Sequence, residues 1–303
     1  MFKWLAHVGA ILNGSAGVMV CVIPSVISSL WFPPDERTTA TGISWFFLEF
    51  GNALGFLIGP LVVRDPPNNI TSGNVTHLMN VTENQEGIKS DVLNLMYIHA
   101  SMCGIIFVLL LIYFPSKPPL PPSPTSVAPR EKFLDGLKLI FQNRNAMLVI
   151  LAFSLSQGMQ EALTPVLDLD LTPLGISEKS VGWLGFWASL VSCITCMVTS
   201  YLAEKFKGNF KPAILTFLFI ALGFYTWQSL IVLGVVPFSM VQLYISTLAG
   251  FSVNYACTPL FFELGSELAF PAGEGVMAGL MTCVWTIVGI IYLSIFFIKK
   301  IGY

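Results

Sequence analysis

The sequence predicts an all-α polytopic membrane protein of about eight transmembrane helices, and three observations carry that prediction. Hydrophobic residues make up 54% of the 303 and charged residues only 11%, with a mean hydropathy of +0.74, whereas soluble domains carry roughly 25% charged residues. The charges are also segregated: none occurs in 4–34, 92–116, 180–203, 212–262 or 275–298, and about 20 apolar residues cross a bilayer core. Finally, one polar motif is written twice. Phe32-Pro33-Pro34-Asp35-Glu36-Arg37-Thr38-Thr39-Ala40 returns 238 residues later as Phe270-Pro271-Ala272-Gly273-Glu274-Gly275-Val276-Met277-Ala278. A distant repeat in equivalent context indicates two halves of similar build.

The first span is expected at about 5–30 and contains the small-residue cluster Asn13-Gly14-Ser15-Ala16-Gly17, a composition that lets membrane helices approach closely. The first motif copy follows as a tight loop. A second span, about 38–63, carries a single acid, Glu49, and a glycine stripe at Gly51, Gly55 and Gly59. The polar stretch 64–91 reads as a loop with three glycosylation sequons, at Asn69, Asn74 and Asn80, which places it on a lumenal or extracellular face. The third span, about 92–114, completes a partial amino-terminal bundle, residues 1–114.

Residues 115–144 read as a cytosolic linker. Seven prolines (115, 118, 119, 121, 122, 124 and 129) hold its first part extended, and its end reads as a short amphipathic segment on the membrane surface. The remainder, 145–303, reads as a carboxy-terminal bundle of five spans. These are 145–167, 180–203, two spans within 212–262 broken at Gly234-Val-Val-Pro237, and 275–298. The six cysteines all fall in apolar runs, so Cys193-x-x-Cys196 reads as two small hydrophobes rather than a redox or zinc pair. A net charge of −2 gives no electrostatic handle on nucleic acid.

Basic residues support this orientation. Predicted cytosolic loops hold Arg37, Lys117, Arg130, Lys132, Lys138, Arg144, Lys205, Lys207 and Lys211; internal lumenal loops hold only Arg64, Lys89 and Lys179. Lys299 and Lys300 run against the rule. The motif copies join spans one to two and seven to eight, a period of six helices, so the halves are parallel. Two parallel six-helix halves with a long cytosolic linker is the major-facilitator architecture. By that period the chain corresponds to spans four to eleven of twelve.

The residues then carry a family resemblance. Trp31-Phe-Pro-Pro-Asp-Glu36-Arg37-Thr-Thr-Ala40-Thr41 and Phe262-Glu263-x-x-x-Glu267-x-x-Phe270-Pro271-x-x-Glu274-Gly275 resemble signatures of solute carrier family 49, the feline leukaemia virus subgroup C receptor-related transporters. Leu12-Asn13-Gly14, Gly59-Pro60-Leu61-Val62-Val63, Trp183-Leu-Gly-Phe-Trp187 and Asn254 are most similar to its member 4 branch. The resemblance implies a transporter of small organic solutes. For that branch it implies proton-coupled pyridoxine export from lysosomes; for the receptor-like branches, choline, ethanolamine or haem at other membranes, including the plasma membrane.

Ionisable groups inside a membrane are expensive and mark functional sites by default. Glu161, with Gln157 and Gln160 within one turn, is the leading candidate for a proton or for a cationic or hydroxylated solute; the competing reading is a hydrated residue near the lumenal end. Glu49, with Asn52 three residues on, is the second, against a plain interhelical hydrogen bond. Asn13 and Asn254-Tyr255 stand in equivalent helices of the two halves, as solute contacts or as packing. Trp183, Trp187 and Trp227 can stack on a planar or quaternary-ammonium solute, or anchor at the interface. His7 and His99 read as solvated. Glu36, Arg37, Glu263, Glu267 and Glu274 are expected to latch the cytosolic gate. No nucleophile triad, metal cluster or phosphate loop appears, so the sequence implies no enzyme and no cofactor. Alongside transport stand two weaker expectations: a truncated, non-transporting membrane partner or receptor, and an integral-membrane enzyme.

Overall fold

A computed structural model describes residues 2–63, 75–115, 118–123, 131–171, 174–205 and 210–295. All its elements are helical. The first half supplies α1 (Phe2–Trp31), a 3-10 turn at Pro34–Glu36, α2 (Arg37–Val62) and α3 (Val75–Ile112). The linker ends in α4 (Phe133–Gln142). The second half supplies α5 (Arg144–Leu171), α6 (Glu178–Lys205), α7 (Phe210–Val232), α8 (Met240–Tyr255), α9 (Thr258–Ala269) and α10 (Glu274–Ile295).

Among the described residues, seven helices (α1, α2, α3, α5, α6, α7 and α10) are long and apolar enough to cross a membrane. α8 and α9 are each too short. They follow one another across Ala256 and Cys257, and together they match the length of one further crossing. Pro259 sits in the first turn of α9, where its missing N–H is harmless but its ring disfavours a continuous helix through the residues before it. The break at Gly234 lies where the sequence puts it, between α7 and α8, with Gly234 at φ 72°.

The third helix departs from expectation. α3 begins at Val75, well inside the stretch read as loop, and carries Asn80 on its backbone; Asn69 and Asn74 lie outside the described residues. No proline interrupts 75–112, and a helix that is already nucleated propagates into polar sequence at little cost. The apolar part of α3 is nowhere buried, as suits a lipid-facing surface. Lys299 and Lys300 also lie outside the described residues.

Two seams join the first half to the second. α2 packs along α6 over most of its length, and α1 packs on α10. The α2–α6 approach is close: a Cβ on Gly42 would collide with the Ser200 side chain. Within the second half α5 meets α10 just as tightly, since a Cβ on Gly158 would lie 2.8 Å from the Trp285 carbonyl oxygen. Cys193 and Cys196 are buried and free, as small hydrophobes.

Candidate functional site

Both halves line a cavity of about 550 Å³, mainly between α2, α5, α8, α9 and α10. α2 presents Trp45, Leu48, Glu49, Asn52 and Phe56 to it, and α5 presents Phe153, Gln157, Gln160, Glu161 and Thr164. Both sets follow the three-and-four spacing that lines up one helix face. Cys21, Ser189, Phe251, Tyr255, Thr258 and Trp285 complete the wall.

The site has an aromatic floor and an acidic upper wall. Trp45 lies 5.2 Å from Phe262 and 6.4 Å from Trp285 by ring centroids; Phe153 lies 5.2 Å from Phe262 and 5.8 Å from Trp285. Trp45 and Phe153 are fully buried, so this end is shut. Above the floor the lining continues only toward the carboxy-terminal ends of α2 and α5, through Gly55, Phe56, Glu161, Thr164 and Pro165. Glu49 is buried, with Asn52 Nδ2 donating to its Oε2 at 3.1 Å. Glu161 stands on the opposite half of the same cavity and is solvent-accessible there.

Several expected solute contacts are committed elsewhere. Asn254 is buried, with its side chain hydrogen-bonded to Ser156 and Gln160 on α5. Tyr225 Oη donates to Gln160 Oε1 at 3.0 Å, and Gln157 Nε2 donates to the Asn254 carbonyl at 3.1 Å. These amides therefore knit α5, α7 and α8 together, although Gln157 and Gln160 still line the cavity. Tyr255 donates to the Trp45 carbonyl at 3.4 Å across the two halves. Asn13 is exposed on α1, away from the cavity lining, as are His7 and His99 from their helices; Trp183, Trp187 and Trp227 do not line it either.

At the closed end, Arg37, Glu263, Glu267 and Glu274 share a polar crevice of about 340 Å³ with Ser25, Ser28 and Ser29. Arg37 donates to the Ser29 carbonyl at 3.2 Å and the Phe32 carbonyl at 3.4 Å, capping the end of α1. Glu36 is exposed and does not line the crevice. Glu263 lies within α9 and is the first charge after the charge-free run 212–262.

Sequence reasoning missed two parts of the site. Glu204 has no role in the sequence reading, yet its carboxylate accepts hydrogen bonds from the N–H and hydroxyl of Thr39 on α2. Its signal was an acid in the last turn of a helix, where the macrodipole disfavours it unless another helix start lies near. The aromatic floor gave no signal, because tryptophans at two distant positions acquire meaning only once they meet.

The sequence profile of the Major Facilitator Superfamily matches residues 4–293. A Xenopus laevis protein named solute carrier family 49 member 4 homolog is 32% identical over 97% of this chain and 69% of its own length. Its Xenopus tropicalis counterpart is 33% identical over 92% of this chain and 60% of its own length. The human choline/ethanolamine transporter FLVCR2 is 24% identical over 94% of this chain and 52% of its own length. The chain belongs to the major facilitator superfamily of membrane transporters and, within it, to solute carrier family 49. It spans roughly two thirds or less of the length of these relatives.

Proposed function

We propose that the protein carries a small, cationic or protonatable, hydroxyl-bearing solute across the membrane by alternating access through the central cavity. The single observation behind this reading is the pairing of Glu49 and Glu161, contributed by opposite halves to one aromatic-lined chamber. Two acids facing one low-dielectric space repel, and a cation or a proton entering between them relieves that repulsion. An aromatic wall of this kind suits a planar or ammonium-bearing solute once the cavity opens to it.

The preferred solute is pyridoxine, exported from lysosomes with protons; it is planar, basic and hydroxylated, and the member 4 relatives support this branch. Glu161 then takes the proton and Glu49 the solute. The shut end with Arg37, Glu263, Glu267 and Glu274 serves as the cytosolic gate, and the sequon-bearing side faces the lumen. A second reading, choline or ethanolamine, is favoured by the name of the FLVCR2 relative and by the same carboxylate and aromatic chemistry.

The test is uptake of labelled pyridoxine and labelled choline by vesicles containing this chain, with and without a pH gradient. Pyridoxine flux that rises with the gradient, and loses that rise in Glu161→Gln, supports the first reading. Gradient-independent choline flux supports the second. If neither solute moves while the chain remains folded, the non-transporting reading stands.

A further inference from the structure

α4 has three faces. Gly136 and Ile140 are buried against the second copy of the repeated motif, where a Cβ on Gly136 would lie 3.3 Å from the Ala272 Cβ. Both ends are tied down there as well. The Glu131 N–H donates to the Pro271 carbonyl at 3.3 Å, and Asn143 Nδ2 donates to the Leu268 carbonyl at 2.8 Å. Asn143 Oδ1 meanwhile accepts from the Asn145 N–H at 3.1 Å in the first turn of α5. The helix is thus pinned between a membrane-crossing helix and the motif.

The second face is apolar and uncovered. At about 100° per residue, Phe133, Leu134, Leu137 and Phe141 fall within one arc of about 100° beside the buried face. Phe133, Leu134 and Phe141 are 64%, 73% and 55% exposed. The third face is polar, with Asp135, Lys138 and Gln142. Lys132, Lys138 and Arg144 are exposed, and none has an ion-pair partner among the described residues; Glu131 and Asp135 are the nearby acids along the helix.

Only Asn143 separates α4 from α5, which crosses the membrane, so the apolar arc lies beside the start of that crossing, at the bilayer boundary. An amphipathic helix with bulky apolar residues on one side and lysines beside them lies in that boundary, and anionic headgroups attract basic side chains there. We propose that α4 is a binding site for anionic phospholipids of the adjoining leaflet. Phe133, Leu134 and Phe141 enter the acyl boundary, Lys132, Lys138 and Arg144 hold the phosphates, and the lipid braces the second motif copy through the Gly136–Ala272 contact.

Trypsin reads this site directly, because it cuts after Lys138 and Arg144 and also after Lys207, which follows α6 in the sequence. The full chain is digested in phosphatidylcholine vesicles with and without one third phosphatidylserine. Phosphatidylserine should slow cutting at Lys138 and Arg144, relative to Lys207, by about fivefold for each basic side chain engaged. In Lys132→Gln/Lys138→Gln, which alters only exposed side chains, protection at Arg144 should largely disappear; in Phe133→Ser/Phe141→Ser the two vesicle types should give equal rates. Equal rates for the unaltered chain in both vesicles overturn the proposal. So does full protection in detergent micelles, which assigns the shielding to protein packing, and so does protection by soluble glycerophosphoserine alone, which assigns it to a free phosphate.

Discussion

Glu204, in the last turn of α6, accepts hydrogen bonds from both the Thr39 N–H and the Thr39 hydroxyl, each at 2.7 Å, in the first turn of α2. The acid is ill placed for its own helix, whose carboxy-terminal end is already negative. It is well placed for α2, whose first N–H groups lack intrahelical partners. The cap of one half thus comes from the other. Removing a cap costs about 0.5–2 kcal/mol, and under the proposed alternating cycle that cost would fall on the closed arrangement. Glu204→Ala should therefore raise labelling of buried Cys196 by a membrane-impermeant maleimide by about tenfold, the equivalent of ~1.4 kcal/mol. Unchanged labelling would remove Glu204 from the gate.

Gly42 and Ser200 make a second test of the same seam. A methyl group at Gly42 lands on the Ser200 side chain, and overpacking of this kind costs about 1–3 kcal/mol. Gly42→Ala should open the seam and raise Cys196 labelling, and Ser200→Gly in the same chain should reverse it. A double variant no better than the single one contradicts steric coupling between α2 and α6.

Trp45 separates packing from polarity. Its ring is buried in the floor, while Nε1 is buried with no hydrogen-bond partner among the described residues. Trp45→Ala should lower stability by about 3–5 kcal/mol through the lost contacts. Trp45→Phe keeps most of the ring and removes the unpaired donor, so thermal melting in detergent should be unchanged or higher. A large loss in Trp45→Phe would mean that the indole N–H has a partner after all.

The class, the spans and the acidic cavity wall were legible because each is written locally. Charge-free runs mark crossings, and Glu49, Asn52, Gln157 and Glu161 stand out as polar residues within them. Residues whose role depends on a partner were not. Asn254 resembled Asn13 on paper, yet α5 binds one and the other faces outward. The start of α3 at Val75 escaped notice because sequons and polar composition describe accessibility rather than backbone shape. The break between α8 and α9 was not expected, because the apolar character of the run suggested continuity, although Pro259 carries a signal for it.

The floor has a kinetic consequence. Trp45 Nε1 and Trp285 Nε1 are both buried without a hydrogen-bond partner among the described residues, and each such group costs about 1–3 kcal/mol. Under the proposed alternating cycle, opening that end would let water reach both donors, whereas a seal with every donor paired would cost more to break. Two unpaired indoles would then make the closed seal easier to leave.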